Sequence, residues 1–164
     1  MRGGMTILYE NAAQARKLRW VNWGTVLCFA LCTAWAASLW SGPAPDGTAA
    51  ILVALGGVAP LVGAVLFSRR YVVRLARKDA ELLLTTLGFL SPAERRLPLE
   101  RVAAATFDEG HAEGGPSVAT PWIGLRIAGL RLPFVVDLRA ERADARAIMA
   151  LGTAHDPARR RRGG

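Results

Sequence analysis

The sequence predicts an α+β membrane protein: a two-helix transmembrane hairpin, then a small cytoplasmic antiparallel β-domain that ends in a helix. Three observations predict it. Residues 21–40 and 49–68 are apolar stretches without a single Asp, Glu, Lys, Arg or His. Only the short turn at 41–48, Ser-Gly-Pro-Ala-Pro-Asp-Gly-Thr, separates them. Beyond Arg70 the pattern changes to short runs rich in Val, Leu, Tyr and Thr, which is strand chemistry. At 1.5 Å per residue, about 20 helical residues cross a hydrocarbon layer of about 30 Å, so each stretch suffices for one span. The short connector returns the second helix beside the first.

Charge placement sets the topology. The net charge is +8 and the pI about 10.9, which in bulk resembles a nucleic-acid binder. Its distribution does not. Residues 1–20 carry Arg2, Arg16, Lys17 and Arg19 against Glu10, a balance of +3. Arg69, Arg70, Arg74, Arg77 and Lys78 follow the second span, and Arg159, Arg160, Arg161 and Arg162 close the chain. The body at 79–157 has eight Arg against eleven Asp or Glu, a balance of −3. Cations thus gather beside the spans and in the tail, not over a groove-binding face, so no nucleic-acid partner is expected. The turn holds no cation and contains Asp46, so the positive-inside rule places both termini in the cytoplasm. Ala- and Arg-rich usage points to a bacterial chain, hence to an inner (cytoplasmic or intracytoplasmic) membrane.

Residues 1–20 form a basic leader in which Leu8, Ala12, Ala15 and Leu18 recur at helical spacing. A short surface helix and a lead without structure of its own both fit. Ala34-Trp35-Ala36 resembles a cleavage site, but the apolar run continues through Trp40, so the span is expected to be retained. Trp20, Trp23 and Trp40 sit where an interfacial aromatic belt is expected, with Arg69 and Arg70 at the far end of the second span. Cys28 and Cys32 share a helix face and read as small packing residues. Ala30, Ala34 and Ser38 form one small-residue row, and Ala59 and Gly63 another, beside Gly56 and Gly57. Such rows permit close helix approach, either within the hairpin or onto a larger membrane protein. Pro60 is expected to kink the second helix. Proton relays and ion paths almost always leave an ionisable residue in a span, and these spans have none, which argues against transport.

The soluble part, residues 69–152, is enough for one modest core. Residues 71–78 and 81–88 read as a strand hairpin around Lys78-Asp79-Ala80. Ser91-Pro92-Ala93-Glu94 reads as a break, and 96–98 and 100–107 as further strands. Residues 108–121 read as a loop, 122–128 and 132–138 as a second hairpin around Gly129-Leu130-Arg131, and 140–151 as a helix stopped by Gly152. The count is about six strands. Residues 153–164 are expected to be a disordered polybasic tail.

The order of these pieces resembles a known family. Two spans, Arg-Arg-Tyr-Val-Val-Arg-Leu at 69–75, paired strands, Pro98-Leu99-Glu100-Arg101-Val102 and a terminal helix are similar to membrane-anchored bacterial PH-like domain proteins. The layout is also similar to mitochondrial two-span proteins that assist respiratory-complex assembly, through Tyr71-Val72-Val73-Arg74-Leu75. The resemblance implies a PH-like β-domain and a non-catalytic accessory or assembly subunit of a respiratory or photosynthetic membrane complex. Its partner would be an integral membrane complex. The alternative is a lipid- or peptide-binding PH-like module at the cytoplasmic membrane surface.

No nucleophile elbow, phosphate loop, dinucleotide fingerprint or haem motif is present, so no catalytic residue, cofactor or metal is expected. His111 lies among Asp108, Glu109 and Glu113, but a Gly-rich loop gives ligands no rigid spacing. Two features invite contact. The loop residues Asp108, Glu109 and His111, followed by Trp122, form a candidate partner surface. Arg159, Arg160, Arg161 and Arg162 form a candidate tether for anionic lipid headgroups.

Overall fold

The computed structural model describes residues 5–110 and 120–153. Thr6–Glu10 forms strand β1, and one residue later Ala12–Ser41 forms helix α1. Asn11 makes the change of direction: its Oδ1 accepts from Gln14 N at 3.2 Å, an N-cap bond that satisfies one orphan donor of the first turn. Helix α2, Gly47–Ser68, returns after a short turn and is capped by Asp46, whose Oδ1 accepts from Ala49 N at 3.0 Å. Both helices are long and apolar enough to cross a membrane. At 1.5 Å per residue α1 is about 45 Å long and α2 about 33 Å, so the first two turns of α1 extend beyond its partner's end.

Beyond Leu18, less exposed positions of α1 recur at spacings of three and four, Asn22, Thr25, Phe29, Cys32, Ala36 and Leu39, with Val26 beside them. Those of α2 are Ala50, Ala54, Gly57, Leu61, Ala64 and Ser68. This spacing is that of two nearly antiparallel helices meshing along one seam. Gly57 makes the closest approach, because a Cβ there would stand 2.7 Å from Cys32 Cβ and 3.4 Å from Phe29 Cα. The expected small-residue rows are not this seam. Ala30, Ala34, Ser38, Gly56, Ala59 and Gly63 are all exposed, and nothing lies within 4 Å of a Cβ built on Gly56 or Gly63. Each helix carries small residues on two faces, and the face that interlocks is the one that also holds Phe29 and Leu61. Pro60 lies on the exposed side, inside a helix that continues past it.

After Arg69, Arg70 and Tyr71 the chain forms β2 (Val72–Lys78), β3 (Glu81–Thr86) and β4 (Ala93–Pro98), an antiparallel meander. Asp79 takes the left-handed conformation at the β2–β3 turn, φ 52°, which Asp tolerates better than most residues. One 3₁₀ turn at Leu99–Arg101 leads to β5 (Val102–Gly110), then β6 (Thr120–Ile127) and β7 (Phe134–Asp137). A two-residue strand β8 (Arg142–Ala143) precedes helix α3 (Ala145–Thr153). Among the described residues the strands make a five-stranded sheet, β4-β3-β2-β1-β8, and a three-stranded sheet, β5-β6-β7. Leu75, Leu82 and Leu84 of the first sheet face Ile123, Leu125 and Val136 of the second, and Ile148 of α3 closes the core. Gly152 is inside α3 rather than beyond its end. A Cβ there would collide with the Ala105 backbone N, so glycine lets the helix press on β5.

The largest departure from expectation lies at the N-terminus. The leader at 1–20 is neither a surface helix nor structureless over its described part. Thr6–Glu10 pairs with β2 in the register Glu10↔Arg74 and Thr6↔Arg77, and residues from Ala12 onward belong to α1. The apolar hairpin is therefore an insertion between two neighbouring strands of one sheet, and both of its ends are held side by side. Three smaller boundaries also move. The Ser91–Glu94 break is shorter, since β4 begins at Ala93 and pairs Ala93↔Thr86. The 108–121 loop is narrower, because β5 runs to Gly110 and β6 starts at Thr120. The last helix starts at Ala145, because Arg142–Ala143 pairs with Tyr9 and Glu10.

Candidate functional site

The most built-up polar site is the joint where the hairpin meets the β-domain. Asn11 N donates to Val73 O at 2.9 Å, and its Nδ2 lies 3.3 Å from both Tyr9 Oη and Tyr71 Oη. All three side chains are buried. Burial pushes both tyrosine hydroxyls up from their ordinary pKa, so they stay neutral donors. Ala15 and Leu18 of α1 pack on Tyr71, Val73 and Leu87, which makes the first turns of the helix part of the domain. One helical turn beyond Leu18, Asn22 Nδ2 donates to Ser68 Oγ at 2.9 Å and to Phe89 O at 2.7 Å. Ser68 Oγ returns a bond to Asn22 Oδ1 at 3.2 Å. Helix α1, helix α2 and the β3–β4 connection are thus tied at one buried point.

Beside this joint a groove of about 210 Å³ opens between Gln14 and Leu18 of α1, Phe67 at the end of α2, Tyr71, and Trp122, Val135, Asp137 and Arg139 of the smaller sheet's end. Asp137 is only 6% exposed. Its Oδ1 accepts from Arg139 N at 3.0 Å and Arg139 Nε at 3.2 Å, and its Oδ2 accepts from Arg139 Nη2 at 3.1 Å. Burial pushes the Asp137 carboxyl up, but the Arg139 donors, with help from the Tyr71 hydroxyl, outweigh it and hold the carboxyl below its usual range. The guanidinium is half-exposed and keeps its outer N–H groups for an acceptor in the groove. The walls are aromatic and aliphatic and the polar edge is the Asp137–Arg139 pair with Gln14, which suits an extended partner segment offering a carbonyl.

The sign of the acid response follows. A carboxyl whose folded pKa is depressed contributes stability above its ordinary value and loses it as pH falls through the folded one. The thermal midpoint of the full chain should therefore decline below about pH 4 by more than that of Asp137→Asn. Parallel curves for the two proteins would show that the clamp carries no such term.

The sequence-predicted contacts separate in space. Trp122 lines the groove, opposite Asp108 on β5 by strand register. Asp108 and Glu109 occupy the end of β5, while His111 and Arg159, Arg160, Arg161 and Arg162 lie outside the described residues. Trp20, Trp23 and Trp40 are exposed on α1, Trp20 by 74%, and Arg69 is exposed at the end of α2 with Arg70 half-buried beside it. Cys28 and Cys32 are free thiols. Sequence reasoning did not single out Asn11, Asp137 or Arg139. Asn11 before Ala-Ala-Gln is a helix-start signal, and Asp137-Leu138-Arg139 sets opposite charges two residues apart where β7 runs into a turn, but neither signal names a partner.

A further depression of about 260 Å³ lies on the outer face of the larger sheet, with Arg74, Lys78 and Arg96 set among Glu81 and Glu94. Three cations and two carboxylates line it, so its charges nearly cancel. Among the described residues no three His, Cys, Asp or Glu side chains gather as metal ligands. The fold and site define a class, an α+β chain with an apolar helical hairpin inserted between two neighbouring strands of a two-sheet β-domain. Comparison with protein-family models, with curated proteins and with solved structures returns no match.

Proposed function

We propose that the chain is a membrane-anchored, non-catalytic accessory or assembly subunit of an energy-transducing membrane complex, respiratory or photosynthetic. The observation that carries this reading is the insertion of the hairpin between β1 and β2. With one residue before α1 and three after α2, and a buried polar joint at their base, the β-domain is held at a set height and angle. Membrane insertion is supported by the exposed Leu and Trp side chains of the hairpin and by its hydroxyl groups. Thr25, Thr33, Ser38 and Ser41 each donate to a carbonyl three or four residues back, at 2.7–2.8 Å, leaving no hydroxyl of α1 to be solvated. The basic flanks favour the cytoplasmic side for the domain.

A PH-like arrangement is supported by the order of the elements: a β1–β4 meander, a β5–β7 meander and a closing helix, with β1 and the two-residue β8 added to the six strands expected from the sequence. The groove at Trp122 and Arg139 would receive a segment of the partner, and the outward small-residue rows would meet its helices. The peptide-binding alternative uses the same groove without a membrane partner.

Extraction of tagged full-length chain in mild detergent, followed by native electrophoresis, tests the reading. The chain should migrate with a larger complex, and Gly63→Leu should reduce that association severalfold while leaving the hairpin folded, since the site is open. Recovery only as a free monomer, with every such complex intact after deletion, would overturn it.

A further inference from the structure

We infer that the outward face of α1 binds one anionic phospholipid of the leaflet next to the β-domain. Arg16, Arg19, Trp20 and Trp23 fall on one side of the helix and enclose a depression of about 440 Å³. Neither arginine has an acidic partner, since the ion pairs among the described residues are Arg96–Glu94 and Arg139–Asp137. Arg19 Nε is moreover buried without any hydrogen-bond acceptor. That N–H has no acceptor within the protein, and an anion over the guanidinium would supply acceptors from outside.

The same face continues along the helix through Leu27 and Leu31, each 62% exposed, with Ala30 between them. From Arg19 to Leu31 the helix rises about 18 Å, comparable with one leaflet of a membrane whose hydrocarbon is about 30 Å thick. The order along the face is cation, indole, aliphatic lane. A phospholipid carries the complementary order: phosphate, ester carbonyls, acyl chain. An acidic protein patch supplies the anion but not the chain, and a free phosphate leaves the lane bare. Guanidinium groups match phosphate oxygens in geometry, and the indole N–H groups lie at ester depth.

The inference rests on the membrane insertion proposed above but not on any partner complex. Native mass spectrometry of the full chain, released from micelles containing phosphatidylglycerol or phosphatidylcholine, tests it. At about fivefold per surface cation, the two arginines should favour phosphatidylglycerol by about 25-fold. Arg16→Gln with Arg19→Gln should bring the two lipids close to parity. Lys17→Gln, which removes the same kind of charge from another side of the helix, should keep the preference. Equal retention of both lipids by the unaltered chain, or a Lys17→Gln loss as large as that of Arg16→Gln alone, would overturn the site. An alkaline wash of reconstituted vesicles reads insertion separately, and release of the chain there would sink both the insertion and the site.

Discussion

Asn22→Leu should destabilise the full chain by about 3 kcal/mol, although the two side chains have nearly the same size. The loss comes from what the leucine leaves behind. Ser68 is fully buried and exchanges hydrogen bonds with Asn22 at 2.9 and 3.2 Å, and Phe89 O accepts the third at 2.7 Å. A buried donor or acceptor stripped of its partner costs about 1–3 kcal/mol, and here a hydroxyl and a carbonyl are stripped together. The readout is the thermal midpoint in mild detergent, with a double-mutant cycle as the control. Ser68→Ala combined with Asn22→Leu removes one of the two orphans, so the double variant should be more stable than the sum of the single losses predicts. Strict additivity would show that the pair does not couple the helices. Because Phe89 belongs to the β3–β4 connection, the same variant should also loosen the domain on the hairpin, read as faster proteolysis at the joint.

Gly57→Val should cost about 3 kcal/mol, at the upper end of what overpacking a close contact costs. Its Cβ would stand 2.7 Å from Cys32 Cβ, where both atoms are near the backbone and neither can swing aside. The helices must separate along the seam, and the contacts of Phe29 with α2 loosen with them. Gly56→Val supplies the contrast, since its Cβ meets nothing within 4 Å and the change should stay within about 0.5 kcal/mol. Resistance of the hairpin to denaturing detergent measures both. Pairing Gly57→Ala with Cys32→Gly moves the extra carbon from one helix to the other and should restore part of the loss. Equal behaviour of the two neighbouring glycines would contradict the seam.

These two sites show where sequence reasoning stops. The apolarity of the two helices, the turn at Lys78-Asp79-Ala80 and the turn around Gly129 are local signals, and the structure keeps all of them. The faces of the hairpin were not legible. Ala30, Ala34, Gly56, Gly57, Gly63 and Cys32 are all small residues suited to close packing, and the sequence did not choose Gly57 and Cys32 among them, because a helix with small residues on several faces states no preference until its partner is present. The joint was not legible either, since Asn22, Ser68 and Phe89 are brought together from three separated segments.

By itself the sequence determined the class of the protein: two apolar helices in a hairpin, basic flanks, and a β-domain closed by a helix. These follow from composition and period, which act over a few turns of chain. Only the tertiary structure decided that Thr6–Glu10 is a strand of that domain, so that the hairpin interrupts the sheet instead of preceding it. Five residues bury too little to declare a strand alone. Their pairing with β2 exists only after residues 11–71 have folded back, and long-range closure of that kind leaves no mark on the local pattern.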